Sequence, residues 1–162
     1  MKRWTFQASD EQGTGELGAA LAETLSAGSV VALNGALGAG KTRLVQGLAT
    51  ALGASREDVV SPTFVVIHEY RTEKPVYHFD VYRIKDDDEF LELGPDEYFE
   101  SDGITLLEWA ERVQDCLPRE RLEVRITIKE GTNREFELSA IGPKYEPVLD
   151  ALETRLDGAG HS

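Results

Sequence analysis

The sequence predicts an α/β fold with a mixed, largely parallel sheet flanked by helices and a C-terminal antiparallel strand pair. Short, almost continuously apolar runs at 29–33 and 103–107 are typical of strands buried on both faces of a parallel sheet. A glycine-rich segment and an amphipathic helical repeat directly follow the first run. Residues 122–128 and 136–138 instead alternate between apolar and polar side chains, which indicates two antiparallel strands joined by a turn near Gly131.

The other elements follow from helical spacing, capping residues and turn residues. Residues 4–6 are predicted as a short strand, and a helix capped within 9–12 carries leucines at every fourth position until Gly28 ends it. A second helix is predicted over 41–52, where leucines again recur every four residues before Gly53. The remaining predictions are strands over 63–70 and 76–82 joined by a turn at 71–75, a helix over 86–93 and a closing helix over 145–156.

The composition is that of an ordinary globular domain. The 162 residues are 41% hydrophobic and 29% charged, so we expect one domain over 1–157 and a frayed C-terminal tail at 158–162. No segment approaches the roughly 18 consecutive apolar residues of a membrane span, and the N-terminus lacks the apolar core of a signal peptide. Cys116 is the only cysteine, which excludes an intramolecular disulfide. A cytoplasmic location is therefore expected.

The net charge of -13 excludes strong non-specific attraction to polyanions. We therefore expect neither DNA nor a membrane among the partners. Any positive potential has to be local, supplied by backbone dipoles and a lysine.

Residues 35–42 supply such a site. Their sequence, Gly-Ala-Leu-Gly-Ala-Gly-Lys-Thr, satisfies G-x-x-x-x-G-K-[ST] and lies between a predicted buried strand and a predicted helix. In this context the glycines let backbone N–H groups point at phosphate oxygens, Lys41 reaches the β and γ phosphates, and the Thr42 hydroxyl is placed to bind Mg²⁺. The motif predicts a P-loop NTPase fold. A second pattern, Gly13 to Gly18, formally matches G-x-G-x-x-G, but neighbouring acids favour an ordinary helix start.

Two carboxylates are candidates for the metal or for the attacking water. Asp80 and Glu108 each follow an apolar strand, which places both at the edge of the sheet where a P-loop binds phosphates. A solvated surface acid remains the alternative for either one alone. Thr63 lies in Ser61-Pro62-Thr63-Phe64, a rigid turn that can contact the γ-phosphate or simply turn the chain. Trp109 either stacks on a ring or fills the core, and His78 is interpreted as a bystander of its strand.

These motifs together resemble the TsaE (YjeE) family, bacterial ATPases of tRNA threonylcarbamoyladenosine biosynthesis. The resemblance rests on residues 35–42, 61–64, 78–83 (His-Phe-Asp-Val-Tyr-Arg), 93–94 (Leu-Gly) and 107–109 (Leu-Glu-Trp), in family order. Ala36, Arg43 and Ala110 depart from the residues usual in the family.

The resemblance implies a Mg²⁺-dependent ATPase with weak activity alone, stimulated by partners of the TsaB and TsaD type, which meets tRNA mainly through them. It implies catalytic roles for Lys41, Asp80 and Glu108, and metal roles for Thr42, Asp80 and Glu108. The residues expected to bind the nucleotide are Gly35, Leu37, Gly38, Ala39, Gly40, Lys41, Thr42, Arg43, Thr63 and Trp109.

The sequence leaves rival functions open. A small-molecule kinase shares the P-loop, but the chain shows no arginine-rich lid to cover the phosphates. A non-catalytic adaptor would use ATP only to order residues 61–64. A GTPase is disfavoured because no N-K-x-D segment is present.

Overall fold

The computed structural model describes residues 2–35, 40–55 and 67–156. Its elements are β1 (Lys2–Ala8), α1 (Glu11–Thr24), β2 (Val30–Gly35), α2 (Lys41–Ala51), β3 (Ile67–Tyr70), β4 (Val76–Asp80), α3 (Asp87–Leu91), α4 (Pro95–Phe99), β5 (Ile104–Glu108), β6 (Arg121–Ile128), β7 (Arg134–Ile141) and α5 (Glu146–Leu156). Two 3₁₀ segments occupy Ala110–Cys116 and Pro143–Tyr145. No helix in these ranges is long and apolar enough to cross a bilayer. The predicted tail at 158–162 lies outside the described residues.

The seven strands form a sheet in the order β1-β7-β6-β2-β5-β4-β3. Strands β6, β2, β5 and β4 are parallel to one another. Strand β3 at one edge and the β7–β1 pair at the other are antiparallel to their neighbours. The predicted mixed sheet and the C-terminal antiparallel pair are thus confirmed. Because β2, β4 and β5 are parallel, their carboxyl ends meet at one edge of the sheet, where α2 also begins.

Helices cover both faces of this sheet. On one face α1, α2 and α5 pack against the strands in an apolar cluster that includes Leu21 and Leu152. On the other face α3, α4 and the first 3₁₀ segment pack on β2, β4 and β5 through a cluster that includes Phe79 and Phe90. The central strands therefore contribute side chains to both clusters, which accounts for their continuous apolar runs.

Helices α1 and α2 approach each other so closely that glycine is required at the contact. A Cβ on Gly18 would lie 2.4 Å from the carbonyl oxygen of Leu44 in α2. A Cβ on Gly47 would lie 2.5 Å from the carbonyl oxygen of Gly15 in α1. The pattern at residues 13–18 thus lies within α1, where Gly18 permits close packing on α2. This confirms that it is not a dinucleotide-binding loop.

Two predicted boundaries are wrong by a few residues. Helix α1 ends at Thr24 rather than at Gly28, since Leu25 already has an extended backbone and residues 25–29 turn into β2. Strand β4 ends at Asp80 rather than at residue 82. The Asp80 carboxylate accepts a hydrogen bond from the Tyr82 N–H at 3.0 Å and stabilises a turn at that point.

The helix predicted over 86–93 is also shorter in the structure. It is confined to α3, and Gly94 at φ 69 separates it from α4, a second five-residue helix that the sequence analysis missed. Proline at the first position of α4 supports this new start. The strand predicted over 63–70 is confirmed for Ile67–Tyr70, and residues 63–66 lie outside the described part of the chain.

Candidate active site

The candidate site begins where β2 gives way to α2. Gly35 ends β2, and a Cβ there would lie 2.7 Å from the carbonyl oxygen of Ile126 on the neighbouring strand. Gly40 is the N-cap of α2 at φ 107, in the left-handed region that favours glycine. Both ends of the predicted phosphate loop thus need glycine for steric or backbone reasons. Leu37, Gly38 and Ala39 lie outside the described residues.

Lys41, the first residue of α2, folds back over this junction. Its Nζ donates a hydrogen bond to the carbonyl oxygen of Gly35 at 2.8 Å, and only 5% of the residue is exposed. Desolvation lowers the pKa of the Lys41 ammonium, and the nearby negative charges of Glu108, Glu111 and Asp80 oppose this effect. A lysine therefore lies at the N-terminus of a helix, where backbone N–H groups and the helix dipole favour an anion, with carboxylates nearby.

The two predicted carboxylates lie side by side. In the parallel ladder between β4 and β5, Asp80 is paired with Glu108 at the carboxyl ends of both strands. Asp80 is half-buried, with Oδ1 bound to the Tyr82 N–H, whereas Glu108 is only 5% exposed. A surface-acid interpretation therefore fails for Glu108.

Glu108 has a partner that the sequence analysis missed. Nε2 of His78 lies 2.6 Å from Oε2 of Glu108, and the His78 side chain is fully buried. His78 is thus not a bystander of its strand. The sequence did contain one sign of this contact: His78 is a lone polar residue in the apolar run of β4, two positions before Asp80 and therefore on the same face of the strand. Because Asp80 is paired with Glu108, His78 is the diagonal neighbour of Glu108 on the adjacent strand.

Trp109 lies directly beside the lysine. It has the positive backbone angle φ 63, the only non-glycine residue with one among the described residues. Its indole ring lies under the Lys41 ammonium, with Nζ 3.8 Å from the ring centroid. The ring also contacts Tyr82 at a centroid distance of 4.8 Å, and the Arg112 guanidinium lies 5.0 Å from the Tyr82 centroid. The Trp109 ring therefore lies against Lys41 as well as against the apolar cluster, and its contact with a nucleotide stays a prediction.

Thr42 and Arg43 follow Lys41 in α2, but their side chains lie in different surroundings. Thr42 is half-buried in the first turn of α2, next to Lys41. The Arg43 guanidinium instead lies against Gly15 of α1, and its buried Nε has no hydrogen-bond partner among the described residues. Contacts of either residue with a nucleotide stay predictions. Thr63 lies outside the described residues.

The donor set fits Mg²⁺ held together with a nucleotide. No group of three or more His, Cys, Asp or Glu side chains in the described ranges converges into a metal-binding cluster. Mg²⁺ at nucleotide sites uses one or two protein oxygens, completed by phosphate oxygens and water. The Thr42 hydroxyl and the Asp80 carboxylate are ligands of that type.

A family model described as threonylcarbamoyl adenosine biosynthesis protein TsaE matches residues 8–136. The chain belongs to the TsaE family. The match includes the β2–α2 junction and the ends of β4 and β5, and it stops before α5. TsaE relatives thus share the part of the chain that builds the candidate site.

Individual TsaE proteins show the same relationship. The protein named tRNA threonylcarbamoyladenosine biosynthesis protein TsaE of Bacillus subtilis (strain 168) is 44% identical over 126 residues, which are 77% of this chain and 78% of that protein. Its namesake in Nostoc sp. (strain PCC 7120) is 42% identical over 151 residues, 90% of each chain. The crystal structure of Bacillus subtilis YdiB superposes with a TM-score of 0.81 at 33% identity, covering 95% of this chain and 96% of that one.

Proposed function

We propose that this chain binds ATP with Mg²⁺ and hydrolyses it by in-line attack of water on the γ-phosphate. The observation that carries the proposal is the pairing of Asp80 with Glu108 at the strand ends, beside a lysine at the start of α2. A P-loop ATPase needs this combination of one cation for phosphate and carboxylates for metal and water.

The described residues divide these tasks. When ATP binds, Lys41 gives up its hydrogen bond to the Gly35 carbonyl and donates to phosphate oxygens instead. The new bond is stronger because the acceptor is charged. Thr42 and Asp80 would hold Mg²⁺, and Glu108 would orient the attacking water. When bound there, Mg²⁺ would supply positive charge that offsets the negative charge of the phosphates. Because Glu108 is buried and already bound on one oxygen, its second oxygen is the one available to the water.

We further propose a role in tRNA threonylcarbamoyladenosine biosynthesis, the pathway named for the relatives. In this role, hydrolysis resets a complex of TsaB-type and TsaD-type proteins, and the chain itself transfers no threonylcarbamoyl group. The net charge of -13 supports contact with tRNA through those partners rather than directly.

The decisive experiment measures phosphate release from ATP by the purified chain, alone and with TsaB and TsaD. We expect slow release alone and strong stimulation by both partners, lost in Glu108→Gln. Tight ATP binding without release in either condition would favour a non-catalytic adaptor. ADP formation only when a small acceptor is supplied would favour a kinase.

Replacement of Asp80 with asparagine is expected to weaken the Mg²⁺ dependence of ATP affinity. The amide keeps an oxygen for the Tyr82 N–H but loses the negative charge that favours the metal. Isothermal titration of ATP with and without Mg²⁺ measures this dependence. An unchanged dependence would make Asp80 a structural residue, and Glu97→Gln, an exposed change in α4, serves as a matched control.

ATP binding is expected to change the fluorescence of Trp109. Lys41 lies over its ring and has to leave that position to reach a phosphate. The chain has two tryptophans, so Trp4→Phe isolates the signal of Trp109 and Trp109→Phe isolates that of Trp4. An equal change in both variants would contradict a movement of Lys41.

A further inference from the structure

The buried histidine beside Glu108 makes one strong contact and lacks another. His78 is fully buried in β4, and Nε2 lies 2.6 Å from Oε2 of Glu108. Its Nδ1 is also buried and has no hydrogen-bond partner in the described part of the chain. Burial of an unpaired polar atom is unfavourable, and buried polar groups are nearly always paired. Packing alone does not explain a histidine here, because an apolar side chain would fill the same space without burying an unpaired nitrogen.

The contact has a defined direction. An ionised carboxylate has only acceptor oxygens, so with Glu108 ionised this contact requires the hydrogen on Nε2, and His78 is the donor. The bond is short, as expected for a donor facing a charged acceptor in a buried site. It therefore fixes one oxygen of Glu108 at a known position.

The contact between His78 and Glu108 also competes with an ion pair between Glu108 and Lys41. Burial lowers the pKa of the Lys41 ammonium, and the negative charge of Glu108 opposes this effect, so the two groups attract each other. Lys41 nevertheless makes no ion pair with Glu108 within 4 Å among the described residues, and bonds to the Gly35 carbonyl instead. An ion pair between these two groups would neutralise the cation needed for phosphate.

We propose that His78 is a positioning residue for Glu108: its Nε2–H anchors one carboxylate oxygen, keeps Glu108 from pairing with Lys41 and leaves the other oxygen to orient the attacking water. This inference rests on the proposed hydrolysis. His78 itself does not touch the reacting atoms.

The test compares two variants that differ in the donor. In His78→Gln the side-chain amide places an N–H near the position of Nε2, whereas His78→Met has similar size and no donor. With TsaB and TsaD present, we expect His78→Met to lower kcat about tenfold or more, since small misplacements in an active site cost this much. His78→Gln should restore most of the rate. ATP affinity and Tm should match between the two variants, so that a rate difference cannot come from unfolding.

A second readout does not depend on turnover. Nitrogen-15 NMR of the imidazole in the ATP-free chain is expected to show hydrogen on Nε2 of His78, with the signal identified by its loss in His78→Gln. An Nε2 without hydrogen would overturn the inference. If His78→Met were as active as an active wild type, the inference about His78 would be overturned and the proposed function would stand. If the wild type hydrolysed no ATP with its partners, the proposed function and this inference would both be overturned.

Discussion

Replacement of Glu108 with glutamine is expected to slow partner-stimulated ATP turnover by at least about 100-fold, the usual effect of removing a group that activates the attacking nucleophile. The change keeps the size of the side chain and an oxygen for the Nε2–H of His78, so the fold should persist. ATP affinity should stay within about threefold, because this interaction is made in the transition state rather than in the bound substrate. Single-turnover phosphate release and equilibrium binding measure the two quantities separately.

Lys41→Ala provides the contrasting result. It removes a charge-assisted hydrogen bond to phosphate and should weaken ATP binding by about 10- to 100-fold. If both variants lost affinity equally, Glu108 would be a binding residue and its assignment to water would be wrong.

Alanine at Gly18 is expected to destabilise the fold by about 2 kcal/mol in free energy of unfolding, since overpacking costs about 3 kcal/mol and the better helix propensity of alanine returns about 1 kcal/mol. The added Cβ would lie 2.4 Å from the Leu44 carbonyl oxygen and 2.8 Å from the Leu48 nitrogen, both backbone atoms of α2. Neither atom can move without shifting the helix that carries Lys41. Urea denaturation measures the change.

Gly15→Ala is the matched control, because Gly15 lies one helical turn before Gly18 in α1 and also faces α2. Its Cβ would meet the Arg43 guanidinium, the end of a flexible side chain that can turn aside. We expect a change of less than about 0.5 kcal/mol, because the gain in helix propensity offsets a small rearrangement. A loss as large as that of Gly18→Ala would show that the helix contact is intolerant of any added atom.

The sequence predicted those parts of the fold and site that local patterns determine. The motif at 35–42 and the apolar runs before Asp80 and Glu108 identified the cation, the carboxylates and the edge of the sheet that they share. Parallel pairing of β4 with β5 then brought both carboxylates together without any further signal.

The missed features depend on contacts between distant residues. The contact of His78 with Glu108 arises from the register of β4 against β5, and a single chain's sequence does not give that register. Trp109, whose ring lies under Lys41, has a positive φ, which is rare for a bulky residue and has no sequence signature. Helix α4 was missed because Gly94 reads as a helix end and the following segment is only five residues long.

The arrangement of the sheet has a consequence for how the protein acquires its site. Strands β6 and β7 are neighbours in the chain and form a hairpin, whereas β2 pairs with β5 over a long separation, with Val30 opposite Thr105. Pairings between distant segments are slow because the intervening chain loses entropy before the contacts form. We therefore expect the hairpin to form early in folding and the pairing of β2 with β5 later. Until β2 pairs with β5, the start of α2 stays apart from the carboxyl ends of β4 and β5, so a partly folded chain would lack the arrangement that brings Lys41 to Asp80 and Glu108.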